Sequence, residues 1–116
     1  NEDPSRIINV GSIDGINTPV FETYPYGPSK AAVHHLTRVL SAKLVKEDII
    51  VNAIAPGAML EPPDVTWTEE QKNKVIDSIP LKRMGSEKDI AEAVKFLANS
   101  DYITGQIIKV DGGRSL

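Results

Sequence analysis

The stretch IIVNAIAPG at residues 49–57 runs through seven residues of mostly apolar, β-branched character and then meets Pro-Gly. A strand with one wet face alternates apolar and polar residues. This one does not, so it reads as a strand covered on both faces, the signature of a parallel sheet. Two shorter runs of the same kind flank it, RIINV at residues 6–10 and QIIKV at residues 106–110. Each of the three strands ends at glycine: Gly11, Pro56-Gly57 and Gly112-Gly113.

The segments between the strands carry helical spacing. After Pro28, which a first helical turn tolerates, Ala32, Val33, Leu36, Val39, Leu40 and Leu44 recur at three- and four-residue steps. His34, His35, Arg38, Lys43 and Lys46 fall mostly on the other faces. A second helix is expected from about Thr68, where TEEQ has the form of a capping box, through Val75 to Ile79, before Pro80 interrupts it. A third should start at Ser86, with Asp89 three residues on, and turn Ile90, Val94 and Leu97 inward. The irregular stretch at residues 58–67, with Pro62-Pro63 inside it, reads as a loop. Strands alternating with helices imply right-handed crossovers and a mostly parallel α/β sheet. In such sheets ligands bind beyond the carboxyl ends of the strands, which is where Gly11-Ser12 and Pro56-Gly57 fall.

Bulk composition narrows the function classes. A chain of 116 residues is one domain or less, and its 41% hydrophobic and 25% charged residues are those of a soluble globular protein. The formal net charge of −3 argues against a nucleic-acid partner, which normally leaves a basic excess. No apolar run approaches the ~20 residues that cross a bilayer. The first residues, NEDPSR, have neither the basic nor the apolar part of a signal peptide. The absence of cysteine excludes thiol chemistry and suits a reducing compartment, so a cytoplasmic protein is expected.

Chemistry concentrates at YPYGPSK, residues 24–30. Residues four apart share a helical face, so Tyr26 lies beside Lys30 while Tyr24 lies beside Pro28. A free tyrosine is protonated at neutral pH and is a poor base. An ammonium one turn away favours the phenolate, so Tyr26 over Lys30 is a candidate for exchanging a proton with a substrate hydroxyl or carbonyl. Ser12, at the end of the first strand, is placed to hydrogen-bond the same oxygen. These groups suit a C–O centre that gains or loses a proton while hydride moves, and hydride requires a nicotinamide cofactor. Taken one at a time each feature is ordinary: tyrosine and lysine four apart are common on helices, and Gly-Ser after a strand is common turn chemistry. His34 and His35 are adjacent on the long helix and cannot both face one metal, so they read as surface or helix-pairing residues, and no metal site is expected. Trp67 reads either as an anchor for its loop or, with Met59, Leu60 and Val65, as part of an apolar lid over the substrate.

Taken in order, the motifs resemble the short-chain dehydrogenase/reductase family. IINVGS looks like the family's serine-bearing strand, YGPSKAA like its Tyr-x-x-x-Lys helix, and VNAIAPG like the strand and turn beside the nicotinamide. PLKRMGSEKDIAEAVKFLAN and ITGQIIKVDGG look like its closing helix and strand, and the VDGG ending points to the classical rather than the extended branch. The resemblance covers the family's C-terminal half and implies the corresponding part of a Rossmann-like, doubly wound parallel sheet with three strands and about three helices.

By position, the resemblance makes Tyr26 the catalytic acid/base and Lys30 the residue that favours its phenolate and binds the nicotinamide ribose. Ser12 would hold the substrate carbonyl. Pro56, Gly57 and the backbone near Met59 would line the nicotinamide, and Tyr26 would also touch the ribose. Glu61 stands where many relatives carry a threonine that contacts the cofactor. No Gly-x-Gly-x-x-Gly follows a strand, and the strand whose tip selects NAD or NADP and the upstream asparagine of the proton relay are also missing. The chain is therefore expected to be the half that lacks the dinucleotide-binding part. Its implied partners are a small carbonyl or alcohol substrate, the missing N-terminal half, and a second copy paired through the long helix in a homodimer or homotetramer. The wording of YGPSKAAVHHLTRVL looks closest to reductases of the 3-oxoacyl type. A non-catalytic oligomerisation module, or an epimerase or dehydratase using the same tyrosine, are the alternatives, and VDGG disfavours the last.

Overall fold

The structure, a computed structural model, describes residues 3–19, 22–59 and 67–116. Leu60, Glu61, Pro62, Pro63 and Val65, and with them the lid and the threonine-position contact, lie outside the described residues. Three strands, β1 (Ser5–Val10), β2 (Ile49–Pro56) and β3 (Ile107–Val110), form one parallel sheet in the order β1-β2-β3. The register pairs Ser5 with Ile49 through Val10 with Ile54, and Ala53 with Ile107 through Pro56 with Val110. All three carboxyl ends therefore meet at one edge of the sheet.

The unalternating pattern of β2 follows from its central place. Val51, Ala53, Ile54 and Ala55 are fully buried. Its one polar residue, Asn52, is buried too, and both ends of its amide are used: Nδ2 donates to the Ile103 carbonyl at 2.8 Å, and Oδ1 accepts the Gln106 N–H at 3.0 Å. An unpaired amide at that depth would be strongly destabilising. Here it ties the loop before β3 to the central strand instead.

Helix α1 (Tyr26–Leu44) follows β1 and lies against β1 and β2. Its buried face is not the apolar one: Gly27, His34, Thr37 and Ser41 are buried, whereas Leu36 is 50% and Val39 40% exposed. The expectation that His34 lies on an outer face is thus corrected. Small and hydrogen-bonding side chains let the helix sit close to the sheet. Thr37 Oγ1 donates to the Val33 carbonyl at 2.8 Å and accepts from Asn9 Nδ2 at 3.1 Å, and Ser41 Oγ donates to the Arg38 carbonyl at 2.8 Å.

Two further helices lie between β2 and β3. α2 (Glu69–Asp77) opens with the expected box: Thr68 Oγ1 accepts the Gln71 N–H at 3.1 Å, and Gln71 Oε1 accepts the Thr68 N–H at 2.9 Å. Val75 on α2 packs with Ile79 and Met84 in an apolar cluster, against which Trp67, Ala58 and Ile76 rest. That contact is what an anchoring role of Trp67 requires, while the other members of the expected lid, Leu60 and Val65, lie outside the described residues. α3 (Glu87–Ala98) starts after Ser86, whose N–H and hydroxyl both donate to Asp89 Oδ2, and it touches all three strands. Arg83 grips the same carboxylate at 2.9 and 3.3 Å and, with the Ser86 N–H, holds Asp89 well below the usual carboxylate range. Of the three residues expected to turn inward, Leu97 is buried and Ile90 and Val94 are half-buried, because three strands are too narrow to cover the whole stripe. No helix among the described residues is long and apolar enough to cross a membrane.

Candidate active site

The sheet's carboxyl edge gathers the residues singled out from the sequence. The ladder continues past β1, with the Gly11 N–H donating to the Ile54 carbonyl at 2.8 Å. Ser12 then sits in extended backbone and caps a single 3-10 turn, Ile13–Gly15. Its Oγ accepts the Asp14 N–H at 3.1 Å, which occupies an oxygen lone pair and leaves the hydroxyl proton free for another acceptor. Ser12 itself is 5% exposed.

The turn rests on the start of α1. Tyr26, the first residue of that helix, is 46% exposed. Lys30 Nζ lies 5.6 Å from the Tyr26 ring centroid, within cation–π range, and donates to the Val10 carbonyl at 3.2 Å. The helical spacing thus pairs Tyr26 with Lys30 as expected. The lysine is also tied to the last residue of β1, two positions before Ser12, so one ammonium links the serine strand to the tyrosine helix.

Pro56 and Gly57 form the end of β2. The Gly57 N–H donates to the Val110 carbonyl at 3.0 Å, and a Cβ on Gly57 would lie 2.6 Å from the Asp111 Cβ, so only glycine fits against the C-terminal turn there. The Asp111 carboxylate accepts the Gly113 and Ser115 N–H groups, each at 3.0 Å, and the Ser115 hydroxyl. Burial pushes its carboxyl up, but the hydrogen bonds from Ser115 and Gly113, helped by Lys109, outweigh burial and hold it below the usual range. Asn17 Nδ2 donates to the Ser115 carbonyl at 3.3 Å, which joins this turn to the segment after Ser12.

Met59 is placed differently. It bridges to Gly85, and its thioether lies against that glycine, lining a groove of about 590 Å³ with Pro80, Leu81 and Arg83. None of Ser12, Tyr26 and Lys30 lines this groove, nor a second one of about 610 Å³ bordered by Val45, Ile49 and Tyr102 at the opposite edge of the sheet. Among the described residues no cluster of His, Asp or Glu has the form of a metal site, and the site is built from a hydroxyl, a phenol and an ammonium.

The sequence reading missed two residues that hold this edge together. One is Asp111. The other is His34, 3% exposed, whose Nε2 accepts the Ser12 N–H at 3.2 Å. Burial, followed by the charges of Arg38 and Lys30, pushes its imidazole below the ordinary histidine range. A signal for it was available: Tyr26, Lys30 and His34 continue one four-residue series along the helix.

Residues 1–115 match the family described as Enoyl-(Acyl carrier protein) reductase. The chain belongs to the short-chain dehydrogenase/reductase family. Among its relatives, the rhamnolipids biosynthesis 3-oxoacyl-[acyl-carrier-protein] reductase of Pseudomonas aeruginosa is 41% identical over 97% of this chain and 45% of that protein. The Pseudomonas aeruginosa RhlG/NADP active-site complex superposes with a TM-score of 0.89 at 38% identity, over 99% of this chain and 46% of the other. A 3-oxoacyl-[acyl-carrier protein] reductase from Brucella melitensis with bound NAD gives a TM-score of 0.86 at 29% identity, over 96% and 41%. The chain therefore spans a little under half the length of these short-chain dehydrogenases/reductases, and the three-stranded parallel sheet with its helices is part of their Rossmann fold.

Proposed function

We propose that the chain is the C-terminal half of a short-chain dehydrogenase/reductase domain, and that the complete domain interconverts a ketone and a secondary alcohol with NAD or NADP. The observation that carries this reading is the Lys30 ammonium, 5.6 Å from the Tyr26 ring and bonded to Val10, at the strand edge where Ser12 sits. The nicotinamide would supply or take up the hydride. The exposed Tyr26 and the half-buried Lys30, with the Pro56–Gly57 turn at the carboxyl edge of the same sheet, suit its ribose and ring, and the pyrophosphate would be held by the N-terminal half. In the reducing direction the Tyr26 hydroxyl gives its proton to the substrate oxygen. Lys30 stabilises the phenolate that remains. The free proton of Ser12 donates to the same oxygen and strengthens its hold as negative charge develops there.

The substrate class that fits best is a 3-oxoacyl or similar carbonyl compound, in keeping with the 3-oxoacyl reductases of Pseudomonas aeruginosa and Brucella melitensis to which the chain is similar. In the full-length enzyme, Tyr26→Phe should lower kcat by about 10²–10⁴-fold while cofactor affinity stays near the parental value. Retention of more than about a tenth of kcat would remove Tyr26 from the acid/base role. A second reading, a non-catalytic module that joins subunits, rests on the exposed Leu36 and Val39 of α1. The two are compatible if α1 pairs with the same helix of another subunit in a homodimer or homotetramer. Only an inactive, cofactor-free but oligomeric full-length protein would favour the module alone.

A further inference from the structure

Resting on the reading of Ser12 as the group that binds the substrate oxygen, we propose that His34 is a positioning residue that sets the direction of the Ser12 hydroxyl. Three observations carry this. First, His34 Nε2 accepts the buried Ser12 N–H at 3.2 Å, so this nitrogen bears no proton and the imidazole is neutral with its proton on Nδ1. Second, the ring fills the space over the strand end so closely that a Cβ on Gly11 would lie 1.9 Å from Nε2. Glycine at position 11 is what lets the imidazole reach the Ser12 amide. Third, Ser12 bonds on both sides: its N–H is held by His34, and its Oγ accepts the Asp14 N–H at 3.1 Å. The two bonds fix the peptide plane and χ1 together, which leaves the hydroxyl proton only the two tetrahedral positions on Oγ that the Asp14 N–H does not occupy. His34 lies one helical turn beyond Lys30, so α1 sets the tyrosine, the lysine and, through the backbone, the serine from one stripe.

Without the imidazole acceptor, the Ser12 N–H would be left buried and unpaired, and the turn would rotate to find a partner. Loss of alignment at a reacting group lowers the rate more than it lowers substrate affinity. The experiment compares His34→Leu, His34→Gln, Ser12→Ala and the double variant Ser12→Ala/His34→Leu in the full-length enzyme, using a 3-oxoacyl thioester as substrate. His34→Leu should lower kcat about tenfold or more with little change in the cofactor Kd. His34→Gln, whose side-chain oxygen can accept the same N–H, should stay within about threefold of the parent. In the Ser12→Ala background, where no hydroxyl remains to be aimed, His34→Leu should cost less than about twofold.

An equal loss in both backgrounds would make His34 a packing residue and overturn the proposal. So would a folded His34→Gln as slow as His34→Leu. If His34→Leu does not fold, His34→Asn replaces it: its amide is too short to reach the Ser12 N–H, and a kcat equal to that of His34→Gln overturns the proposal equally. Tyr26→Phe is measured alongside. If it turns over at the parental rate, the oxidoreductase reading fails and this inference with it. If Tyr26→Phe is inactive while His34→Leu is as fast as the parent, this inference alone fails.

Discussion

The contact of α1 with the sheet and the cluster beneath α2 are built on opposite principles. Under α2, Val75, Ile79, Met84 and Trp67 meet through apolar area with no directed bond among the first three. Under α1, the buried residues are Gly27, His34, Thr37 and Ser41; His34 accepts the Ser12 N–H and Thr37 accepts from Asn9 Nδ2 across the contact, while Ser41 bonds within the helix. Area-driven contacts tolerate small displacements, because dispersion and the hydrophobic effect have little angular dependence. Hydrogen-bonded contacts tolerate less, since an N–H···O bond weakens steeply as it bends. The helix that carries Tyr26 and Lys30 is docked by the second kind. The difference suggests that position matters more than stability on the Ser12 side of the molecule, and stability more than position on the α2 side.

This contrast can be broken by substitution. The largest effect on stability should come from the apolar cluster: Ile79 is 1% exposed, and Ile79→Ala is expected to cost about 2–5 kcal/mol in urea unfolding. The activity that survives in the folded fraction should be close to parental. A variant of parental stability would mean that the cluster collapses around the lost volume and that the two regions are not so different. Thr37→Val should cost less, about 1–3 kcal/mol, by leaving the Asn9 amide without its acceptor. Unlike Ile79→Ala, it should also reduce kcat, because it loosens the docking of α1. Unchanged turnover in Thr37→Val would show that the hydrogen bonds under α1 serve stability alone.

A pH dependence sharpens the same comparison. His34 is held neutral, with its folded pKa below that of the unfolded chain. Its contribution to stability is therefore fully present above the unfolded value of about 6.5 and is lost as pH falls from there through the lowered folded value. Urea midpoints should drop between neutral and mildly acidic pH in the parent and drop less in His34→Gln, while Ile79→Ala should follow the parental slope. Identical slopes in all three would mean that His34 protonates without disturbing the Ser12 turn. The smallest expected effect is that of Thr68→Ala, about 1 kcal/mol, through loss of the α2 capping box alone. A kcat change in that variant would show that α2 reports to the site, against the division drawn here.

Much of the chain could be read before any coordinates. The β-branched runs became β1, β2 and β3 within a residue or so of the expected limits, although only the central β2 is buried on both faces and the edge strands β1 and β3 are half-buried. The caps at Thr68 and Ser86 appeared as expected, since a capping box is a bond between residues three apart and needs nothing else. Tyr26 and Lys30 were brought together for a similar reason: one helical turn suffices. Tertiary structure decided which stripe of α1 faces the sheet, which way Met59 turns, and what stands behind Ser12. Periodicity shows that a helix has an apolar stripe, but not whether that stripe meets this sheet or lies open, as Leu36 and Val39 do. His34 looked like a surface residue because a histidine is polar. It is buried because Gly11, 23 residues earlier in the chain, leaves room for the ring and Ser12 offers it an N–H, and such a pairing exists only once strand and helix are packed together.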